Sequence, residues 1–158
     1  MGLSKMLERL DLESWGDHAQ PPENALGAVP AALRAIADPE DLDRGRTYHG
    51  LLYALGNDHA GTYFPVVVPA ILVLGEILRG GVLVARLRAL DVLIDLIGSF
   101  EPDPAYEEVE TSSGRRPLSA VVKEAVSALS NDVEVLHRGP GSDEEESLSA
   151  ELLALIRE

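Results

Sequence analysis

The stretch YFPVVVPAILVLGEILRGGVLVARLRALDVLIDLIG, Tyr63–Gly98, decides the fold. Residues 60–75 carry no charge, a feature shared by bilayer spans and buried core helices. Glu76 and Arg79 close that run below the roughly 20 apolar residues a helix needs to cross a membrane, and Pro65 and Pro69 sit inside it. The spacing therefore predicts two buried helices back to back, hinged at Gly80-Gly81. In the second, Leu83, Leu87, Leu90, Leu93, Ile94 and Ile97 recur at helical intervals, while Arg88, Asp91 and Asp95 form a polar stripe expected to face water. The expectation is an αα-hairpin with one dry face and one wet stripe.

Upstream, Val29, Leu33 and Ile36 mark a helix over Ala25–Ala37. Asp38-Pro39-Glu40-Asp41 reads as a restart, with Asp38 as cap and Pro39 at the first helical position. The second helix is expected over Pro39–Leu55, weakened by Gly45 and Gly50 and ended by Gly56-Asn57-Asp58. Copies then show. Val29-Pro30-Ala31 recurs as Val68-Pro69-Ala70, thirty-nine residues on. Arg44, Thr47, Leu51 and Gly56 recur as Arg86, Ala89, Leu93 and Gly98, at an offset of forty-two. A period near forty built of two helices marks a helical solenoid repeat.

At these positions the chain resembles HEAT-like repeats, whose second helix runs Arg, Ala, Leu and a terminal Gly, as Arg86, Ala89, Leu93 and Gly98 do. The first copy departs, with Thr47 in the alanine position. The resemblance covers about residues 25–98. It implies an all-α fold, a right-handed α-solenoid of about three helical hairpins in one domain, 1–158, after a short N-terminal helix. The approximate units are 25–56, 63–98 and 117–158. The linking segment also resembles a His-x-Gly-Thr-x-aromatic-Pro element of uncharacterised bacterial HEAT-like proteins, through His59, Gly61, Thr62, Phe64 and Pro65. Structurally, Gly61 would make the turn, Thr62 would cap the next helix and the aromatic would be buried. Functionally, Asp58, His59 and Tyr63 form a candidate binding loop.

The remaining segments follow from pattern. Ser4–Leu12 predicts a short helix with Leu3, Met6, Leu7 and Leu10 on one side. Residues 14–24 read as loop, with Trp15 plugging one end of the core. Residues 99–116 form a long acidic connector, expected to be disordered. Pro117 opens a helix carrying Leu118, Val122, Ala125, Leu129, Val133 and Leu136, which Gly139-Pro140-Gly141 stops. Ser142-Asp143-Glu144-Glu145 is a capping box, and Leu148, Leu152, Leu155 and Ile156 give the last helix its dry face.

Composition narrows function. The 158 residues hold 27 acids against 13 bases, a net charge of −14, which disfavours nucleic-acid and anionic-membrane partners and favours a basic protein. There is no cysteine, so disulfides, thiolate metal sites and thiol nucleophiles are excluded. The N-terminus lacks the apolar core of a signal peptide, and the expected location is cytoplasmic. No nucleophile elbow, phosphate loop or HExxH pair occurs, and His18, His49, His59 and His137 are scattered, so neither cofactor nor metal is expected. A residual catalytic cluster would be His49, Tyr53, Asp91 and Asp95.

In a solenoid the second helices line the binding side. Moving Arg88, Asp91 and Asp95 back by forty-two gives Arg46, His49 and Tyr53, and Glu151 continues the rows on the last helix. These seven are the candidate partner-binding residues, set against a plain solvated face of intrahelical salt bridges. The expected function is a non-enzymatic protein-binding module acting by occlusion, most specifically an acidic immunity protein that neutralises a basic toxin. The alternative is a structural adaptor within a larger complex.

Overall fold

The computed structural model describes residues 2–158 and is mostly helical. Its centre is α4, Val67–Gly80, which is apolar nearly all round and so must be wrapped by neighbours. Val67, Ala70, Ile71, Val73, Leu74, Ile77 and Leu78 are all buried. Helix α1 (Gly2–Leu12) lies on α4, as do α2 (Ala28–Ala37), α6 (Leu118–Ser127) and α7 (Ser130–Arg138). Leu10 of α1 joins the core, whereas the side chains of Leu3, Met6 and Leu7 lie outside the described residues. Gly75 admits α7's approach: a Cβ there would stand 2.6 Å from Leu129 Cδ2. Trp15 is partly buried against the core and donates from Nε1 to Leu10 O at 3.1 Å.

A second row of helices packs behind the first. Helix α5, Leu83–Gly98, lies between α3 (Arg44–Leu55) and α8 (Asp143–Arg157). The hinge at Gly80-Gly81 is as expected, with Gly81 N closing α4 onto Ile77 O at 2.8 Å. Ser142 Oγ accepts from Glu145 N at 3.1 Å, the forward half of the capping box. The return half is absent because the Glu145 carboxylate is engaged by Arg86.

Several expectations are corrected. Helix α3 starts at Arg44, capped by Asp43, whose carboxylate accepts from Arg46 N at 3.0 Å. Asp38 instead closes a turn onto Glu40 N, and Pro39 lies outside any helix. The helix expected from Pro117 breaks into α6 and α7 around Ala128-Leu129, where Leu129 turns into the core.

The chain is not purely α. Strand β1 (Gly56–Asn57) pairs antiparallel with β2 (Thr62–Tyr63), which pairs parallel with β3 (Glu101–Pro102). Thr62 is therefore a strand residue and not the cap of α4. Gly61 makes the turn, with φ +72°. Residues 99–116, expected to be disordered, contain β3, a 3-10 turn at Pro104–Tyr106 and a hairpin of β4 (Glu108–Thr111) with β5 (Gly114–Pro117). Main-chain bonds pin this segment to the core: Glu101 N donates to Gly61 O at 3.0 Å, and Asp103 N to Tyr63 O at 2.8 Å.

Candidate functional site

The expected partner-binding residues lie on α3, α5 and α8. Arg46, His49 and Tyr53 project from the exposed side of α3, with Tyr53 52% exposed. Arg46 pairs with Asp41 and lies 3.9 Å from Asp43. The bond from Asp43 N, and after it the Arg46 bond, hold the Asp41 carboxyl below the usual range. His49 Nδ1 lies 2.5 Å from Asp58 Oδ2, and its ring stands edge-on to Tyr48 at 4.8 Å. Glu151 is exposed on α8.

Arg88 is a correction. Expected on a wet stripe, it is wholly buried. Its Nη1 donates to Ala35 O, Ile36 O and Asp38 O at 3.4, 3.1 and 3.1 Å, and its Nη2 donates to Asp41 O. A guanidinium can satisfy several carbonyls at once, and its charge suits the negative end of α2. Nε alone finds no acceptor. Arg88 thus caps a neighbouring helix and offers nothing to a partner.

Asp91 is likewise spent inside the chain. Arg44 donates to Asp91 Oδ2 from Nε and Nη2 at 3.0 and 2.6 Å, and also bonds Glu144. Burial works against the charge on Arg44, but those two carboxylates outweigh it and raise its pKa. One turn further on, the Tyr48 hydroxyl donates to Asp95. The contact register across α3 and α5 is therefore 44 with 91 and 48 with 95, not the 46, 49 and 53 row that the forty-two-residue shift places there. Arg44 and Tyr48 are the site residues that sequence reasoning passes over. Their signal is the matched spacing of four on the two helices.

Asp95 is half-buried. Burial pushes its carboxyl above the usual range; the Ser99 hydroxyl opposes this and the charge of Glu151 adds to it. The candidate loop divides. His59 is exposed at the turn and Asp58 holds His49, but Tyr63 is only 2% exposed and closed to any partner. Burial, with the charge of Glu101, pushes the Tyr63 phenol up to about 12.

Among the described residues no group of three or more His, Cys, Asp or Glu is placed to hold a metal, and no helix is long and apolar enough to cross a membrane. His49 and Asp91, two of the four residues of the residual catalytic cluster, are each engaged within the chain, His49 by Asp58 and Asp91 by Arg44. The face can offer hydrogen bonds, an aromatic ring and negative charge. Comparison with protein-family models, curated proteins and solved structures finds no match.

Proposed function

We propose that this chain is a non-enzymatic protein-binding module that covers part of a basic partner with the outer face of α3, α5 and α8. The observation that carries the reading is Tyr53, 52% exposed in the last turn of α3 and one turn on from the exposed His49, on a face whose arginines are already paired. A large aromatic left half in water is the usual anchor of a protein interface, and the surrounding acids select the sign of the partner. In its finer form the chain is a right-handed solenoid of three helical pairs, α2 with α3, α4 with α5, and α6–α7 with α8. The related positions of Arg44 and Arg86, each reaching a carboxylate on the next helix of the row, support that reading. A rigid face of this kind loses little entropy on binding and suits occlusion. An immunity protein that neutralises a basic toxin is the most specific form of the proposal.

Immobilised protein exposed to extract of its native host is expected to retain one dominant basic protein, bound 1:1 by calorimetry and weakened by salt. Tyr53→Ala should weaken that complex about thirtyfold without altering the circular dichroism. Many weak partners, or binding indifferent to Tyr53, would sink the proposal. A partner that keeps its own activity while bound would make the chain an adaptor.

A further inference from the structure

The hairpin of β4 and β5 has one closed edge and one open edge, and its ladder settles which main-chain groups face outward. Thr111 pairs with Gly114 across a two-residue turn, and Leu118 N donates to Glu107 O at 2.8 Å. In an antiparallel ladder, bonded rungs alternate with open ones. The bonded rungs are therefore 107 with 118, 109 with 116 and 111 with 114, and the N–H and C=O groups of Glu108 and Glu110 point away from β5. None of these four groups has a main-chain partner among the described residues. The opposite edge is closed, because β5 packs on α6 and ends at Pro117, which has no N–H to offer. Strand β4 contains no proline, and its place is fixed by Val109, which packs against the core.

The two faces of β4 differ. Glu108 and Glu110 are exposed on one face, where Arg115 donates to them at 3.0 and 3.5 Å. One arginine between two carboxylates leaves that face negative. Val109 and Thr111, half-buried on the other face, line a hollow of about 210 Å³ whose apolar wall is Pro65, Val68, Leu118 and Val121. Glu110 and His18 complete the lining. Small-molecule sites begin at roughly 300 Å³, so this hollow suits an aliphatic side chain. None of its residues lies on α3, α5 or α8. Residues opposite each other on neighbouring strands share a face. A chain added along β4 would therefore set one residue beside Val109, over the hollow, and that residue's two neighbours beside Glu108 and Glu110.

We propose that the free edge of β4 takes an extended segment of a basic protein partner as an added antiparallel strand, with an aliphatic side chain seated in the hollow and a lysine or arginine on either side of it, beside Glu108 and Glu110. Strand addition draws affinity from main-chain bonds and selectivity from alternate side chains. Charge decides the occupant. Residues 99–116 carry five acids against two arginines, and Arg116 is spent on Glu124 at 2.8 Å. A second copy of β4 would bring glutamates beside glutamates, which opposes pairing. A basic strand brings the opposite sign. This contact is separate from the face of α3, α5 and α8 and stands without it.

The test titrates isotope-labelled full-length protein with the end-blocked peptide Ser-Thr-Lys-Val-Lys-Thr-Ser. At a peptide concentration about ten times the dissociation constant, amide exchange at Glu108 and Glu110 should slow about tenfold. Val109 and Thr111, already bonded within the hairpin, should change less. The peptide methylated on both lysine main-chain nitrogens, which face the edge, should not bind, whereas methylation of the valine nitrogen should be tolerated. Glu110→Pro removes an N–H that the hairpin does not use and should abolish binding, with protected Val109 and Thr111 amides showing that the hairpin survives. Glu110→Lys keeps every main-chain group and should weaken the peptide about fivefold by charge. Tyr53→Ala should leave it unchanged, so this edge and the helical face are read apart. No binding at about 1 mM peptide, or shifts spread over the acidic surface, would overturn the proposal. So would undiminished binding of the lysine-methylated peptide, or equal binding of a peptide with glutamates in place of the lysines.

Discussion

The C-terminal ends of α2 and α5 are finished in opposite ways. At α2 a buried arginine arrives from another helix and takes the carbonyls of Ala35 and Ile36. At α5 no cation arrives, and the last turn carries Asp95 with Glu151 nearby. Both ends present the same negative dipole, so the difference lies in what the chain places against it. The α2 end is closed by the fold, and its arginine is lost to any partner. The α5 end is left without a cation, and Asp95 there takes only the hydroxyls of Tyr48 and Ser99. A polar group that the fold buries must be matched by the fold, whereas a half-exposed carboxylate can be left to hydroxyls and water.

The strongest break of this contrast is Arg88→Ala. It strips the charge from a wholly buried position and takes a donor from the carbonyls of Ala35, Ile36, Asp38 and Asp41, of which Ala35 O and Asp38 O keep a backbone N–H. The expected loss is about 3–5 kcal/mol in urea unfolding, a large share of the stability of a domain this size. Arg88→Lys keeps the charge but not the fork, and should recover only part of it. A loss under about 1 kcal/mol for the alanine variant would mean the α2 end does not depend on this side chain.

Next in size is Glu145→Gln. Glu145 is 2% exposed and takes Arg86 through two bonds, at 2.6 and 3.2 Å, joining α8 to α5. Arg86 keeps Gly81 O as a second acceptor at 2.8 Å, so the loss should fall somewhat below that of a fully stranded charge, at about 2–4 kcal/mol. Thermal unfolding of this variant measures how firmly the pair holds α8 to α5.

These residues also show what was legible in the sequence. The α4–α5 hairpin was legible, because an uncharged run followed by leucines at helical spacing admits few other outcomes. The Ser142 cap was too, since its signal is local. Arg88 was not. Three polar residues at spacings of three and four look the same whether they face water or a helix end contributed by residues some fifty positions earlier. Strands β1, β2 and β3 are two residues each, too short to show an alternation. Their order comes from main-chain bonds to Gly61 and Tyr63, which side-chain composition does not encode. Asp38-Pro39 and Asp43-Arg44 both carry start signals. Position decided between them, since only Asp43 accepts from a backbone N–H in the first turn of α3. For the candidate site, the helices were legible and the register was not, because the forty-two-residue shift superposes repeats while contacts across α3 and α5 follow a different offset.

Supplying the missing cation within the chain sharpens the comparison from the other side. Ser99→Lys places a basic residue just past α5 beside Asp95, at an exposed position. It should stabilise the fold by about 0.3–1 kcal/mol in urea unfolding. A variant no more stable than wild type would mean that the α5 end does not want for a cation.

The smallest effect is the most diagnostic, because its sign is unusual for a carboxylate. Burial raises the folded pKa of Asp95 above its ordinary 3.8, with Glu151 adding to the shift and Ser99 opposing it. The folded state therefore holds the Asp95 proton more tightly than the unfolded chain does. Its contribution to stability is full below the unfolded pKa and fades as pH rises through the raised folded value. At neutral pH the ionised carboxylate is a net cost, so Asp95→Asn should unfold slightly above wild type. The gap between the two should close on acidification towards pH 3.8. Unfolding midpoints compared from neutral to acidic pH read this directly. A variant less stable than wild type at neutral pH would mean that the Tyr48 bond outweighs burial, and the α5 end would then resemble the α2 end, balanced by the chain itself.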